Sequence, residues 1–267
     1  MTETVLLTAD LGLGVARVTL NKPDDGNALD YSMIDALADV AAKLEEDDGV
    51  RAIVLMSEGR AFSDGYDRTW LRDHLSASRS QREADALAML RMLAAWNHLS
   101  KPVVARVHGN AASPGIGLVC VSDIVVASDN VQFGITGSRL GLTPSLMAPF
   151  IISRIGETNC RALWLAGDWI SARRARRIGL IRDTVENDEI DIVVDEVLAD
   201  ILDASPSATM LAKKLARHLA RTVDEEALRD VAVAYADQWE TPDAIEGVTA
   251  WLEDRSPRWP SEDDVTV

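Results

Sequence analysis

The residues able to do chemistry gather in two loops rich in small side chains. The first, Gly59-Arg-Ala-Phe-Ser-Asp-Gly-Tyr-Asp67, offers Asp64, Tyr66 and Asp67; the second, Asn110–Gly117, follows His108-Gly109 and contains Ser113, Pro114 and Gly115. Small residues let a backbone approach a ligand closely, and amides at a helix start attract negative charge. A positioned carboxylate can act as general acid or base, which makes Asp64 the first candidate and Tyr66 and Asp67 the next. Against this stands the rule that carboxylates mostly face solvent. Asp67 also reads as a residue that fixes a turn. His108 reads as a packed, hydrogen-bonded ring, and His74 and His98 offer little more. Ser145 has no histidine near it in sequence to serve as its base and reads as the N-cap of a helix over 146–155. Cys120 and Cys160 each sit in an apolar run and read as buried, reduced thiols.

The elements that must carry these loops alternate. Residues 4–9 and 14–20 read as strands around the turn Leu11–Gly14, and the turn-rich 20–27 follows. Apolar residues at Leu29, Met33, Ile34, Leu37, Val40 and Ala41 fall at helical spacing. Val50–Met56 is a β-branched run typical of a buried strand. A second unit repeats the order, with strand 103–107, a helix from about Gly115 and strand 123–127. The polar stretch 74–81 reads as a break before a helix running through Ala95. This is an α/β pattern with at least partly parallel sheets. From Pro149 onward the pattern is almost wholly helical, with helices near 207–220, 224–239 and 242–253 and a loose tail over 256–267.

The 267 residues suffice for a sizeable core, and 47% hydrophobic with 26% charged is an ordinary soluble composition. No apolar run reaches membrane-spanning length and the start lacks a signal-peptide pattern, while the two reduced thiols lead to the expectation of a reducing cytoplasm. The net charge of −16 argues against nucleic acid as a partner. Two basic patches, Arg173–Arg177 and Lys213–Arg221, read as solvated helix faces or as local sites for anions.

Four segments then appear in order between residues 15 and 259: VARVTLNKPDDGNALD, VRAIVLMSEGRAFSDGYDRTWL, LAGDWISARRARRIGLI and EGVTAWLEDRSPRW. Together with KPVVARVHGNAASPGIGLV they resemble the enoyl-CoA hydratase/isomerase (crotonase) superfamily. RVHGNAASPGIGLV and SRLGLTPSLMAPFI are closest in pattern to its methylglutaconyl-CoA hydratase-like branch. The resemblance implies a crotonase-type α/β spiral of repeated ββα units with an acyl-CoA site over 1–200. It also implies a C-terminal helical trimerisation region over 201–267, in a trimer or dimer of trimers. The implied ligand is an acyl-CoA thioester, with no cofactor or metal.

Carried over residue by residue, the resemblance implies that CoA lies against Ala61, Ser63, Asp64, Gly65 and Tyr66. It further implies that Lys22, Arg68 and a neighbouring subunit's Arg255 or Arg258 meet the phosphates. Two amides would form the oxyanion hole, at Asp64 and at Pro114. Proline has no N–H, so either half of the hole is missing or Pro114 starts a helix and Gly115 donates instead. The family's two catalytic glutamates map to Gly117 and Gly137, neither of which can move a proton. The expected function is therefore that of an enoyl-CoA hydratase/isomerase-like enzyme with altered or weak chemistry. The alternative is a non-catalytic acyl-CoA carrier or sensor. Trp70, Trp96, Trp164 and Trp169 read as core first and acyl-pocket wall second.

Overall fold

The computed structural model describes residues 4–10, 14–219 and 225–258. The turn expected at 11–14 therefore falls mostly outside the described residues, as do the expected helix ends at 220 and 224 and the tail beyond 258.

The chain opens with the antiparallel pair β1 (Val5–Asp10) and β2 (Val15–Leu20). Helix α1 (Tyr31–Glu46) follows, capped by Asp30, whose side chain accepts from the Met33 N–H at 2.8 Å. The apolar set at helical spacing is its buried face, from Met33 to Leu44. Then come β3 (Ala52–Ser57) and β4 (Ala61–Ser63), helices α2 (Arg68–Ser76) and α3 (Arg79–His98), β5 (Val103–Val107), β6 (Asn110–Ala112) and α4 (Ile116–Val121). The middle of the chain adds β7 (Ile124–Ser128), β8 (Gln132–Gly134), α5 (Ala148–Ala166), β9 (Trp169–Ser171), α6 (Ala172–Arg177) and β10 (Asp183–Val185). Helices α7 (Ile190–Asp203), α8 (Pro206–Leu219), α9 (Glu225–Gln238) and α10 (Pro242–Leu252) complete it.

Two sheets result. One has the order β1-β2-β3-β5-β7-β10, parallel from β2 onward; the other has the order β4-β6-β8-β9. Each of β3, β5 and β7 passes straight into the neighbouring strand of the second sheet, β4, β6 and β8. This is the expected spiral. The central strands are buried on both faces along most of their length, which explains their apolar runs, broken in β5 by Arg106, which pairs with Asp191.

Three expectations are corrected. Residues 74–81 are not an open polar stretch: α2 runs to Ser76 and α3 begins at Arg79, with Ser78 capping it by accepting from the Gln81 N–H. The region after Pro149 contains two strands, β9 and β10, each too short at three residues to show a period. Ser145 caps no helix, since its hydroxyl approaches only the Thr143 carbonyl at 3.5 Å. The C-terminal helices α9 and α10 pack back onto α3 and α2, whereas α8 lies largely exposed.

Candidate functional site

The first loop is stitched to the turn before α1. Asn27, buried at φ +53, donates through Nδ2 to the carbonyls of Glu58 (2.8 Å) and Ala61 (2.9 Å). The Ser63 hydroxyl donates to the Asn27 carbonyl at 2.8 Å. Beyond it, Gly65 adopts φ +94, a conformation that favours glycine, and its Cα faces the Ser113 carbonyl so closely that a Cβ would overlap it. Gly115 stands equally close to the Ser63 hydroxyl. The two glycine-bearing bends thus meet in space.

Their amides differ from the sequence reading. The Asp64 N–H donates to the Gly26 carbonyl at 2.8 Å, so it is not free to bind a ligand. The Tyr66 and Gly115 amides have no acceptor among the described residues. Pro114 begins a helical turn, because the Gly117 N–H donates to its carbonyl at 2.7 Å and the Leu118 N–H to Gly115 at 3.1 Å. The free pair at the junction is therefore Tyr66 and Gly115, and Asp64 is corrected as a donor. The reason is local: residues 26–29 run beside 64–66 as a bridge, using alternate amides.

Carboxylate chemistry has little room. A Cβ on Gly117 would stand 2.8 Å from Leu93 Cδ1, and one on Gly137 3.0 Å from the Leu142 carbonyl. The Asp64 carboxylate is paired with the Arg60 guanidinium. Asp67 caps α2, accepting from Thr69 and Trp70. Asp123 accepts from the Val103 N–H and binds Lys213.

Three of the cations expected at the phosphates carry partners within the chain. Lys22 bonds Asp30 and approaches Asp25 at 3.5 Å. Arg68 donates to the Leu252 carbonyl and lies 4.7 Å from the Trp251 ring centroid. Arg255 is held by Glu246 and Glu253 of its own chain. Of the histidines, His108 bonds the Gly59 carbonyl, while His74 is fully buried and stacked on Trp70.

A cavity of about 300 Å³ opens at the junction, bordered by Tyr66 and Ser113 on one side and by Thr136, Arg139 and Trp169 on another. Gly247, Trp251 and Arg255 from and just after α10 roof it. Burial pushes the Tyr66 phenol well above its ordinary pKa, with Tyr235 adding to the effect, so it stays protonated. Trp70 and Trp96 are core, as expected, but Trp169 is pocket wall. Sequence reading singled out neither Arg139 nor Trp251, although both lie in segments that carry the resemblance; Arg139 follows Gly137 in a short helical turn, and Trp251 reaches the site through the packing of α10. Among the described residues, no cluster of three metal-type ligands occurs and no helix is long and apolar enough to cross a membrane.

The family model for enoyl-CoA hydratase/isomerase matches residues 11–262. The chain belongs to the enoyl-CoA hydratase/isomerase family. A crotonyl-CoA hydratase of Syntrophomonas wolfei is 30% identical over 257 residues, covering 95% of this chain and 96% of its own. A short-chain-enoyl-CoA hydratase of Clostridium acetobutylicum is 29% identical, covering 90% and 92%. Among solved structures, an enoyl-CoA hydratase from Mycobacterium avium superposes with a TM-score of 0.86 at 28% identity, covering 97% of this chain and all of its own. This member of the family thus shares the fold of crotonase-type structures along almost its whole length.

Proposed function

We propose that the protein binds an acyl-CoA thioester with its carbonyl oxygen at the junction of the two bends. On this reading it acts on an enoyl-CoA or related thioester by chemistry that departs from two-carboxylate hydration. The observation that carries the reading is the pair of acceptor-free amides at Tyr66 and Gly115 beside a cavity bordered by Tyr66 and Ser113, whose one lining carboxylate, Asp64, is ion-paired with Arg60. Donors aimed at the thioester oxygen stabilise the enolate-like charge of the transition state, each worth roughly 10²–10³ in rate. A positioned general acid or base would add about 10²–10⁴, and neither Gly117 nor Gly137 supplies one. Slow turnover follows.

The test is a panel of short, medium, branched and aromatic enoyl-CoAs assayed for saturable turnover above the uncatalysed rate. The second reading, a carrier or sensor, is favoured by glycine at both 117 and 137, and it predicts saturable binding with no turnover on any of them. No CoA-thioester affinity by calorimetry would sink both.

The rest of the reading follows the family. The protein is a homotrimer or dimer of trimers in a reducing cytoplasm, supported by the exposed Leu211 and Leu215 of α8 and the free buried cysteines. Residues 106–119 and 138–151 support descent within the methylglutaconyl-CoA hydratase-like branch, without fixing the acyl group. No cofactor takes part.

A further inference from the structure

The roof and one wall of the cavity are indoles, and each has one face already covered. Trp169 pairs with Gly134 across β8 and β9, and a Cβ on Gly134 would stand 2.7 Å from both Cε2 and Cζ2 and 2.8 Å from Cδ2. Near-equal distances to atoms of both rings mean that the indole lies face-down on the glycine backbone. Trp251 carries the Arg68 guanidinium 4.7 Å from its ring centroid, and Arg68 is itself fastened to the Leu252 carbonyl at 2.7 Å. Both indoles border the same cavity, yet among the described residues they make no ring contact with one another. Each therefore has one face against its own neighbour and also borders the shared space, and the Gly134 contact and the cation–π contact favour these ring orientations.

The remaining wall is mixed. Ala112, Leu140 and Pro257 are apolar, while Thr136, whose side chain makes no hydrogen bond among the described residues, and Arg139 bring polar groups to it. An alkyl chain there would desolvate these donors and offer them nothing. A flat ring would use the indole faces, and its edge substituents could accept from the donors.

We propose that the acyl group of the ligand carries an aromatic ring, held between Trp169 and Trp251. The inference rests on the reading of the junction as an acyl-CoA thioester site and names its substrate class. A planar ring has a second possible source, the adenine of CoA itself, so the experiment separates the two. Binding of saturated thioesters that cannot be hydrated is measured by calorimetry on the full-length protein: 3-phenylpropanoyl-CoA, hexanoyl-CoA, and the same two acyl groups on pantetheine, which lacks adenine.

The expected result is about tenfold tighter binding of the phenyl thioester, kept on pantetheine, from two aromatic contacts. In Trp169→Leu, and separately in Trp251→Leu, the ratio of the two affinities should fall toward one. Two variants from different elements guard against one that fails to fold. Equal affinities in the unaltered protein overturn the inference while leaving the thioester site standing. A preference that vanishes on pantetheine assigns the indoles to adenine and also overturns it. No binding of any thioester defeats the proposed function first.

Discussion

Leu93, fully buried on α3, fills the space into which a side chain at 117 would grow. Placing a glutamate there should therefore not confer hydration. Gly117→Glu is expected to cost about 1–3 kcal/mol by overpacking, read as a lower urea midpoint, with no gain in crotonyl-CoA hydration. Pairing it with Leu93→Ala should recover part of the lost stability. The small-residue loops and the absence of glutamates at 117 and 137 were legible from the sequence. That Leu93 closes position 117 was not, because the two positions lie on separate helices and their contact is set by packing. Asp64 was misread for a related reason. Its type and loop were plain, but the Gly26 carbonyl that takes its N–H and the Arg60 that takes its charge depend on local geometry.

The two bends act as one element only while Gly65 and the Ser113 carbonyl touch. Gly65→Ala should break both the left-handed conformation and the contact, costing at least about 2 kcal/mol and abolishing thioester binding in calorimetry. A second element-scale effect concerns α2 and the helices over it. His74 is stacked on Trp70, flanked by Tyr235 and Trp239 of the α9 end, 3.7 Å from Asp85 and near Asp73, while Arg82 donates to its carbonyl. Burial lowers its pKa despite Asp85, and His98 is lowered by burial with Arg217 and Lys213 adding to it. A group whose folded pKa lies below the unfolded value stabilises fully above about 6.5 and loses that contribution as pH falls. The urea midpoint should decline from pH 7 to 5, above the range where most carboxylates titrate. His74→Asn and His98→Asn should each flatten the decline. Most strands and helices were visible as apolar periods; three-residue β9 and β10 were not, since so few residues carry no period.

At the scale of the molecule, the helical region joins the site instead of standing apart from it. Tyr235 and Trp239 are buried against α2, and α10 roofs the pocket, while α8 exposes Leu211 and Leu215. If α8 meets a neighbouring copy, sedimentation should give about three times the 29.0 kDa chain mass or a multiple of it, and Leu211→Asp with Leu215→Asp should yield single chains. The fold class was readable because four motif segments kept their order; how the last helices return was not, as exposed and buried faces of α8 to α10 look alike in sequence. The roof from α10 has one more consequence. During synthesis the floor, residues 61–66 and 112–115, leaves the ribosome long before Gly247 and Trp251 do. A growing chain thus has an open trough and no chamber until α10 has been made, and its ligand cannot assist folding before then.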